Sequence, residues 1–265
     1  MKVAFIQTSP HFGSIEKNVD WVLKRIESAK MRGADLLVLP ELFSTGYQFK
    51  SKKECFGLAE KVPDGYTTGR LVEAAGREKL FIVFGIAEKD GRKAYNSSVL
   101  AGPGGFIGLY RKAHLFCDEK IFFSPGNIPF TVYDIGKAKV GMMVCFDWLF
   151  PEAARSLSLK GADIICHPSN LVLPYCPEAM VTRCLENRVF AITANRVGVE
   201  NRIRGNPLRF IGTSQIISPE GEVLCRASRG RVQVGVVSIN PEEARDKNIT
   251  SLNHIFRDRR DELYY

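Results

Sequence analysis

Two kinds of apolar run alternate along the chain. The N-terminal stretch KVAFIQ is short and β-rich. In SIEKNVDWVLKRIESAKMRG, the residues Ile15, Val19, Val22, Leu23, Ile26 and Lys30 fall on one stripe. Apart from Lys30 the stripe is apolar, which predicts an amphipathic helix ending near Gly33. ADLLVLPE then reads as a buried strand stopped by Pro40. Strand, helix and strand in this order imply parallel pairing.

The same order returns later. KVGMMVCF reads as a strand, PEAARSLSLKG as a helix with proline at its first position and Gly161 past its end, and ADIICHP as a strand. RGADLLVLP and KGADIICHP match closely, so the chain carries an internal duplication of β-α-β units. Between the copies lie the helix TTGRLVEAAGREKL and three strands joined by Asp-Gly and Gly-Pro-Gly-Gly turns. After the second copy come the helix PEAMVTRCLENR, the strand VFAITANRVG, a hairpin in FIGTSQIISPEGEVLCRA and a last strand, VQVGVVSIN. The tail from Pro241 to Tyr265 has no clear core pattern, and its terminal Tyr264 and Tyr265 fit either a tail docked in an oligomer contact or a frayed end. Strands such as FIVFGIA are apolar on both faces and need cover on both. The expectation is a single α/β domain over residues 1–265, with no linker or low-complexity stretch.

Composition narrows the class. Apolar residues make up 45% and charged residues 25%, ordinary values for a globular protein. No apolar run approaches the ~20 residues of a membrane helix, and the N-terminus lacks a signal-peptide pattern. Seven cysteines without framework spacing read as free thiols in a reducing compartment, so the expected location is the cytoplasm. The net charge of +8 raises nucleic acid as a partner, but acidic residues interleave with the basic cluster FRDRRDELYY and no aromatic-basic signature accompanies it. Neither nucleic acid nor membrane is expected as a partner. An anionic substrate fits the charge better. His11, His114, His167 and His254 show no metal-ligand spacing, and adjacent Cys166 and His167 are poorly placed to share an ion, so no metal is expected.

In α/β sheets, sites collect at the carboxyl ends of strands. Three reactive residues fall there: Glu41 after LLVLP, Lys112 after FIGLYR, and Cys145 after VGMMV. The duplication leads us to expect Glu41 and Cys145 on the same edge of one sheet. Singly, each has a bland explanation: a surface turn, a solvated lysine, a core cysteine. Together they make a nucleophile, a base for its proton, and a cation for the charge that develops on a substrate. The turn after Cys145 adds backbone N–H groups, beginning with that of Phe146. Cys117 is a rival nucleophile close to Lys112, but it lacks the strand-to-helix placement.

These stretches, LLVLPELFSTGY, GLYRKAHLF and VGMMVCFDWLFPEAAR, in this order and over nearly the whole chain, resemble the nitrilase superfamily of carbon-nitrogen hydrolases. The resemblance implies a four-layer α-β-β-α sandwich that pairs into a homodimer or higher homo-oligomer. It implies a Glu41, Lys112, Cys145 triad, with Glu119 as a second glutamate that positions Lys112 or the substrate nitrogen. It implies hydrolysis through a cysteine thioester, with Lys112 and the Phe146 N–H stabilising the oxyanion and with neither metal nor organic cofactor. In the family the segment HPSNLVLPYCPEAM corresponds to a pocket loop, which makes Asn170 and Leu171 candidate substrate contacts, and Tyr47 is another. True nitrilases typically carry Trp-Glu after the cysteine. This chain has Phe146-Asp147, closer to the branches that act on amides and carbamoyl amides. The expected activity is hydrolysis of a small linear amide to carboxylate and ammonia. Nitrile hydrolysis and N-carbamoyl hydrolysis are the alternatives, and a non-catalytic binding protein on the same fold is the alternative from another class.

Overall fold

A computed structural model of the chain describes residues 1–264. The first half contains β1 (Lys2–Gln7), α1 (Ile15–Met31), β2 (Leu36–Val38), α2 (Lys52–Leu58), α3 (Tyr66–Glu78), β3 (Phe81–Asp90), β4 (Lys93–Gly102) and β5 (Gly105–Arg111). Next come α4 (Glu119–Phe122), β6 (Val132–Asp134), β7 (Lys139–Met142), α5 (Pro151–Leu159), β8 (Ile164–Pro168), α6 (Cys176–Asn187) and β9 (Phe190–Ala194). The last strands are β10 (Val197–Glu200), β11 (Leu208–Ile211), β12 (Gln215–Ile217), β13 (Val223–Arg226) and β14 (Gln233–Ser238).

The strands form two six-stranded sheets, β14-β1-β2-β3-β4-β5 and β13-β12-β9-β8-β7-β6, plus a β10-β11 ribbon. In the first, β1, β2 and β3 run parallel and are followed by the antiparallel β4 and β5. In the second, β7, β8 and β9 run parallel and are followed by the antiparallel β12 and β13. The duplication visible in the sequence therefore extends past the β-α-β unit to a third parallel strand and a hairpin. It also corrects one expectation. Glu41 and Cys145 do not share one sheet edge; they follow strands of different sheets.

The period-2 alternation of each strand decides the layers. Val3, Phe5, Leu36 and Val38 join Val140, Met142, Ile164, Phe190 and Ile192 in the core between the sheets. Ala4, Ile6, Leu37 and Leu39 point the other way, onto α1 and α3. Leu157, Met180 and Cys184 of α5 and α6 cover the second sheet. The result is the α-β-β-α sandwich.

Several boundaries moved. On α1, Lys30 is only half-buried and Ala29 takes the core position on the stripe. The stretch VFAITANRVG breaks after Ala194, and its second half pairs with β11 instead of continuing the sheet. The helix α2 and the short β6 had no clear apolar period to announce them. The tail turns back on its own chain: Lys247 is buried and donates to the carbonyls of Asn187 and Arg188 at the end of α6. Tyr264 is exposed, and Tyr265 lies outside the described residues.

Candidate active site

Strands β2, β5 and β7 end in one region, and each is followed by a residue of the site. β2 leads through Pro40 to Glu41, whose side chain is fully buried. The chain turns sharply there, with Leu42 at a φ of +47°. Gly85 of β3 makes room: a Cβ at that position would stand 2.4 Å from the Glu41 Cα. Glu41 Oε1 accepts from Lys112 Nζ at 2.8 Å and from Asn96 Nδ2 at 2.6 Å. Its Oε2 has no hydrogen-bond partner among the described residues.

Lys112 directly follows β5, and its Nζ lies between two carboxylates. It donates to Glu41 Oε1 and to Glu119 Oε1, both at 2.8 Å. Glu119 opens α4 and is itself buried. Its Oε1 also accepts from the Tyr47 hydroxyl at 2.6 Å, and its Oε2 from the Phe116 N–H at 3.2 Å.

Cys145 follows β7, but the strand stops at Met142, short of the stretch KVGMMVCF that the sequence suggested. Cys145 begins a 3-10 turn and has a φ of +42°, a left-handed conformation that a non-glycine residue adopts only when held. Two buried side chains hold this turn. Asp147 Oδ2 accepts from the Val144 N–H and the Tyr110 hydroxyl, both at 2.8 Å, and Oδ1 accepts from the His114 N–H at 3.1 Å. His167 places Nε2 at 2.8 Å from the Cys145 carbonyl oxygen. A carbonyl only accepts, so this nitrogen carries the proton, and Nδ1 then accepts from Thr193 Oγ1 at 3.1 Å. Such a strained residue between strand and helix is how hydrolases expose a nucleophile.

Burial and charge set the protonation states. Burial raises the Glu41 pKa; Lys112 opposes this and Glu119 adds to it. Burial disfavours the Lys112 ammonium, but Glu119 and Glu41 outweigh it, so the net shift is upward and the ammonium stays charged. Burial and then Glu41 push the Cys145 thiol well above its ordinary value, against the pull of Lys112 and the Asn170 backbone N–H. The thiol is therefore protonated at rest, beside a carboxylate of raised basicity with one free oxygen.

Of the other residues singled out in the sequence, Phe146, Asn170 and Leu171 line a narrow cleft with Cys145, Phe116 and Trp148. Asn170 also ties the two sheets together, donating through Nδ2 to the Glu41 carbonyl at 2.9 Å. The Tyr47 hydroxyl donates to Glu119 Oε1, the oxygen that also accepts from Lys112. Cys117 is exposed, with its thiol on Asp118. Arg202 pairs with Glu54, and Arg209 lines a separate, larger groove. Among the described residues, no three metal-ligating side chains gather at one place, and no helix is long and apolar enough to cross a membrane.

Sequence reasoning set His167 aside as a metal ligand, used Asp147 only to place the chain among branches, did not consider Asn96, and gave none of the three a part in the site. For His167 a signal was present. In the aligned repeats it stands where the first unit has Leu39, a polar residue at a core position. Asn96 and Asp147 carried no such mark.

Known proteins share the sequence pattern and the fold of this chain. The sequence model of the family described as carbon-nitrogen hydrolase matches residues 2–248. A protein of Pyrococcus abyssi (strain GE5 / Orsay) named nitrilase is 52% identical over 265 residues, covering 100% of this chain and 99% of its own length. An (R)-stereoselective amidase of Pseudomonas sp. is 34% identical over 236 residues, 88% of this chain and 83% of its own. Among solved structures, a mutant of the Nesterenkonia AN1 amidase from the nitrilase superfamily superposes with a TM-score of 0.85 at 26% identity, covering 99% of this chain and 95% of that one.

Proposed function

The chain belongs to the carbon-nitrogen hydrolase family, and from that premise we propose that it is a thiol amidohydrolase cleaving small linear amides to a carboxylate and ammonia. The observation that carries this reading is the buried array at Cys145. Glu41 Oε1 is committed to Lys112 and Asn96, which leaves Oε2 for the thiol proton.

In the proposed reaction Glu41 removes the proton of Cys145 as the sulfur attacks the amide carbonyl carbon. The Lys112 ammonium and the Phe146 N–H stabilise the oxyanion. The tetrahedral species collapses, the C–N bond breaks, and Glu41 returns the proton to the departing ammonia. A water that Glu41 deprotonates attacks the thioester, the C–S bond breaks to release the carboxylic acid, and Glu41 returns the proton to the Cys145 sulfur. Glu119 keeps Lys112 in place throughout. The coupling of a raised thiol pKa to a basic carboxylate suits proton transfer during attack, since a free thiolate in this buried site is disfavoured. No step calls for a metal or an organic cofactor. The narrow cleft lined by Phe116, Phe146, Trp148 and Leu171 favours a small acyl group.

Nitrile hydrolysis is the second reading, favoured by the name of the Pyrococcus abyssi relative; N-carbamoyl hydrolysis remains the third. Phe146-Asp147 after the cysteine supports the amide and the carbamoyl amide over the nitrile. The deciding experiment measures ammonia release from short amides, nitriles and carbamoyl amines, with Cys145→Ala as control. Amide turnover lost in the variant is the expected result. Turnover of nitriles alone would move the substrate assignment, and turnover that survives in Cys145→Ala would end the thioester mechanism. Silence on every substrate would favour a binding protein. We also infer a cytoplasmic homodimer. The thiols support that location, and exposed Leu159 and Leu185 on α5 and α6 supply apolar surface for the contact. A monomer in a sizing measurement would refute the dimer.

A further inference from the structure

The ion pair Arg196–Glu200 lies outside the residues that the proposed reaction uses, yet it is buried as deeply as they are. Arg196 is 2% exposed and Glu200 6%. Arg196 follows β9, and Glu200 closes β10. The guanidinium stacks on the Phe210 ring at 4.0 Å, and its Nη1 donates to Glu200 Oε1. Arg196 Nε has no partner among the described residues. Removing two charges from water costs several kcal/mol per ion, and an apolar pair of the same volume commonly serves stability as well or better. Stability alone is a weak reason for this pair.

The Glu200 carboxylate faces a loop that arrives from the other sheet. Glu200 Oε2 accepts the Gln48 N–H at 2.6 Å and the Tyr47 N–H at 3.1 Å. Gly46, at a φ of +82°, packs so closely that a Cβ there would lie 2.9 Å from Glu200 Oε1. Phe210 meets the Tyr47 ring edge-on at 6.0 Å. Backbone and ring of Tyr47 are thus both fixed by the segment 196–210. The Tyr47 hydroxyl ends on Glu119 Oε1, the same oxygen that accepts from Lys112 Nζ. The chain of contacts is continuous: Arg196 to Glu200, Glu200 to the Tyr47 backbone, Tyr47 to Glu119, Glu119 to Lys112.

We propose that Glu200, oriented by Arg196, is a positioning residue of the active site: it sets where the Tyr47 hydroxyl meets Glu119 and thereby holds the Lys112 ammonium where negative charge develops. This rests on the functional reading above for its kinetic consequence, though the geometry it invokes does not. Tyr47 then acts through Glu119. Glu200→Gln keeps an acceptor for the loop but removes the charge that orients on Arg196. Tyr47→Phe removes only the hydroxyl, and leaves the fold a milder change to absorb.

The test combines both single variants and the double variant. For each, kcat and KM are measured on an amide the wild type hydrolyses. In parallel, the rate of Cys145 alkylation by iodoacetamide is followed against pH by peptide mass spectrometry, which separates it from exposed Cys117 and needs no turnover. Each single variant should lower kcat about tenfold or more with KM within about twofold, since a 1 Å misplacement costs on the order of 10²-fold. The double variant should be no worse than the poorer single one, because both act through the same Glu119–Lys112 contact. Alkylation should shift to higher pH in all three, as Lys112 no longer lowers the thiol pKa fully. Unchanged kcat and alkylation with a lowered melting temperature would make Glu200 merely structural and overturn the proposal, as would multiplicative losses. Wild type silent on every substrate would defeat the functional reading alone; the alkylation profile would still decide the positioning role.

Discussion

His167, on the second sheet, donates to the carbonyl oxygen of Cys145 at 2.8 Å and so restrains the one residue of the strand-to-helix junction that has a left-handed backbone. The contact requires a proton on Nε2, and burial keeps the ring neutral otherwise by pulling the His167 pKa down to about 4. The Cys145 carbonyl acts in the other direction but does not overcome it.

This depression makes stability depend on pH. Unfolded, the imidazole takes up a proton near pH 6.5; folded, it does so only near 4. Between these values the unfolded state holds more protons, so stability falls as pH falls, by about 2 kcal/mol at pH 5 relative to neutral pH. Urea unfolding at pH 7 and pH 5 should show this loss in the wild type and a smaller one in His167→Gln. Equal losses would mean that the histidine does not carry the dependence.

Lys112→Met would leave Glu41 and Glu119 buried with no shared cation. Breaking a buried pair from one side costs about 3–5 kcal/mol at neutral pH. Protonation of the carboxylates relieves the cost, so the gap between variant and wild type should narrow as pH falls from 7 to 5. Melts at the two pH values check this, and ammonia release should be lost at both.

Activity should fail on the acidic side at a pH above the ordinary carboxylate range, because burial raises Glu41 and the base must be ionised to accept the thiol proton. The pH profile of kcat/KM gives the position of that limb. Glu41→Gln should retain the fold, lose about 10²- to 10⁴-fold in kcat, and abolish the limb.

Gly85→Ala tests the packing under the proposed base. The added Cβ would lie 2.4 Å from the Glu41 Cα, a contact that only backbone movement relieves. A displacement of about 1 Å predicts a loss near 10²-fold in kcat. A kcat within twofold of wild type would show that the Glu41 loop has more freedom than its contacts suggest.

Much of this protein could be read along the chain. The alternation of apolar runs, the repeat of Gly-Ala-Asp before a buried strand, and the proline opening α5 marked the parallel units and their carboxyl ends. Glu41, Lys112 and Cys145 were visible because each directly follows such a run, and Glu119 because the family resemblance points to it. These are local features, and local sequence expresses them. The folding of two repeats into two facing sheets was not local, and it brings Glu41 and Cys145 together from different sheets. Nor were the partners of the site. Asn96 and Glu200 lie on strands whose own pattern is satisfied without chemistry, and their contacts reach 55 and 152 residues along the chain. A hydrogen bond between distant residues leaves no periodic trace in either segment. Local pattern determined which residues stand at the ends of strands; only tertiary packing decided which of those ends meet and which buried polar groups hold them.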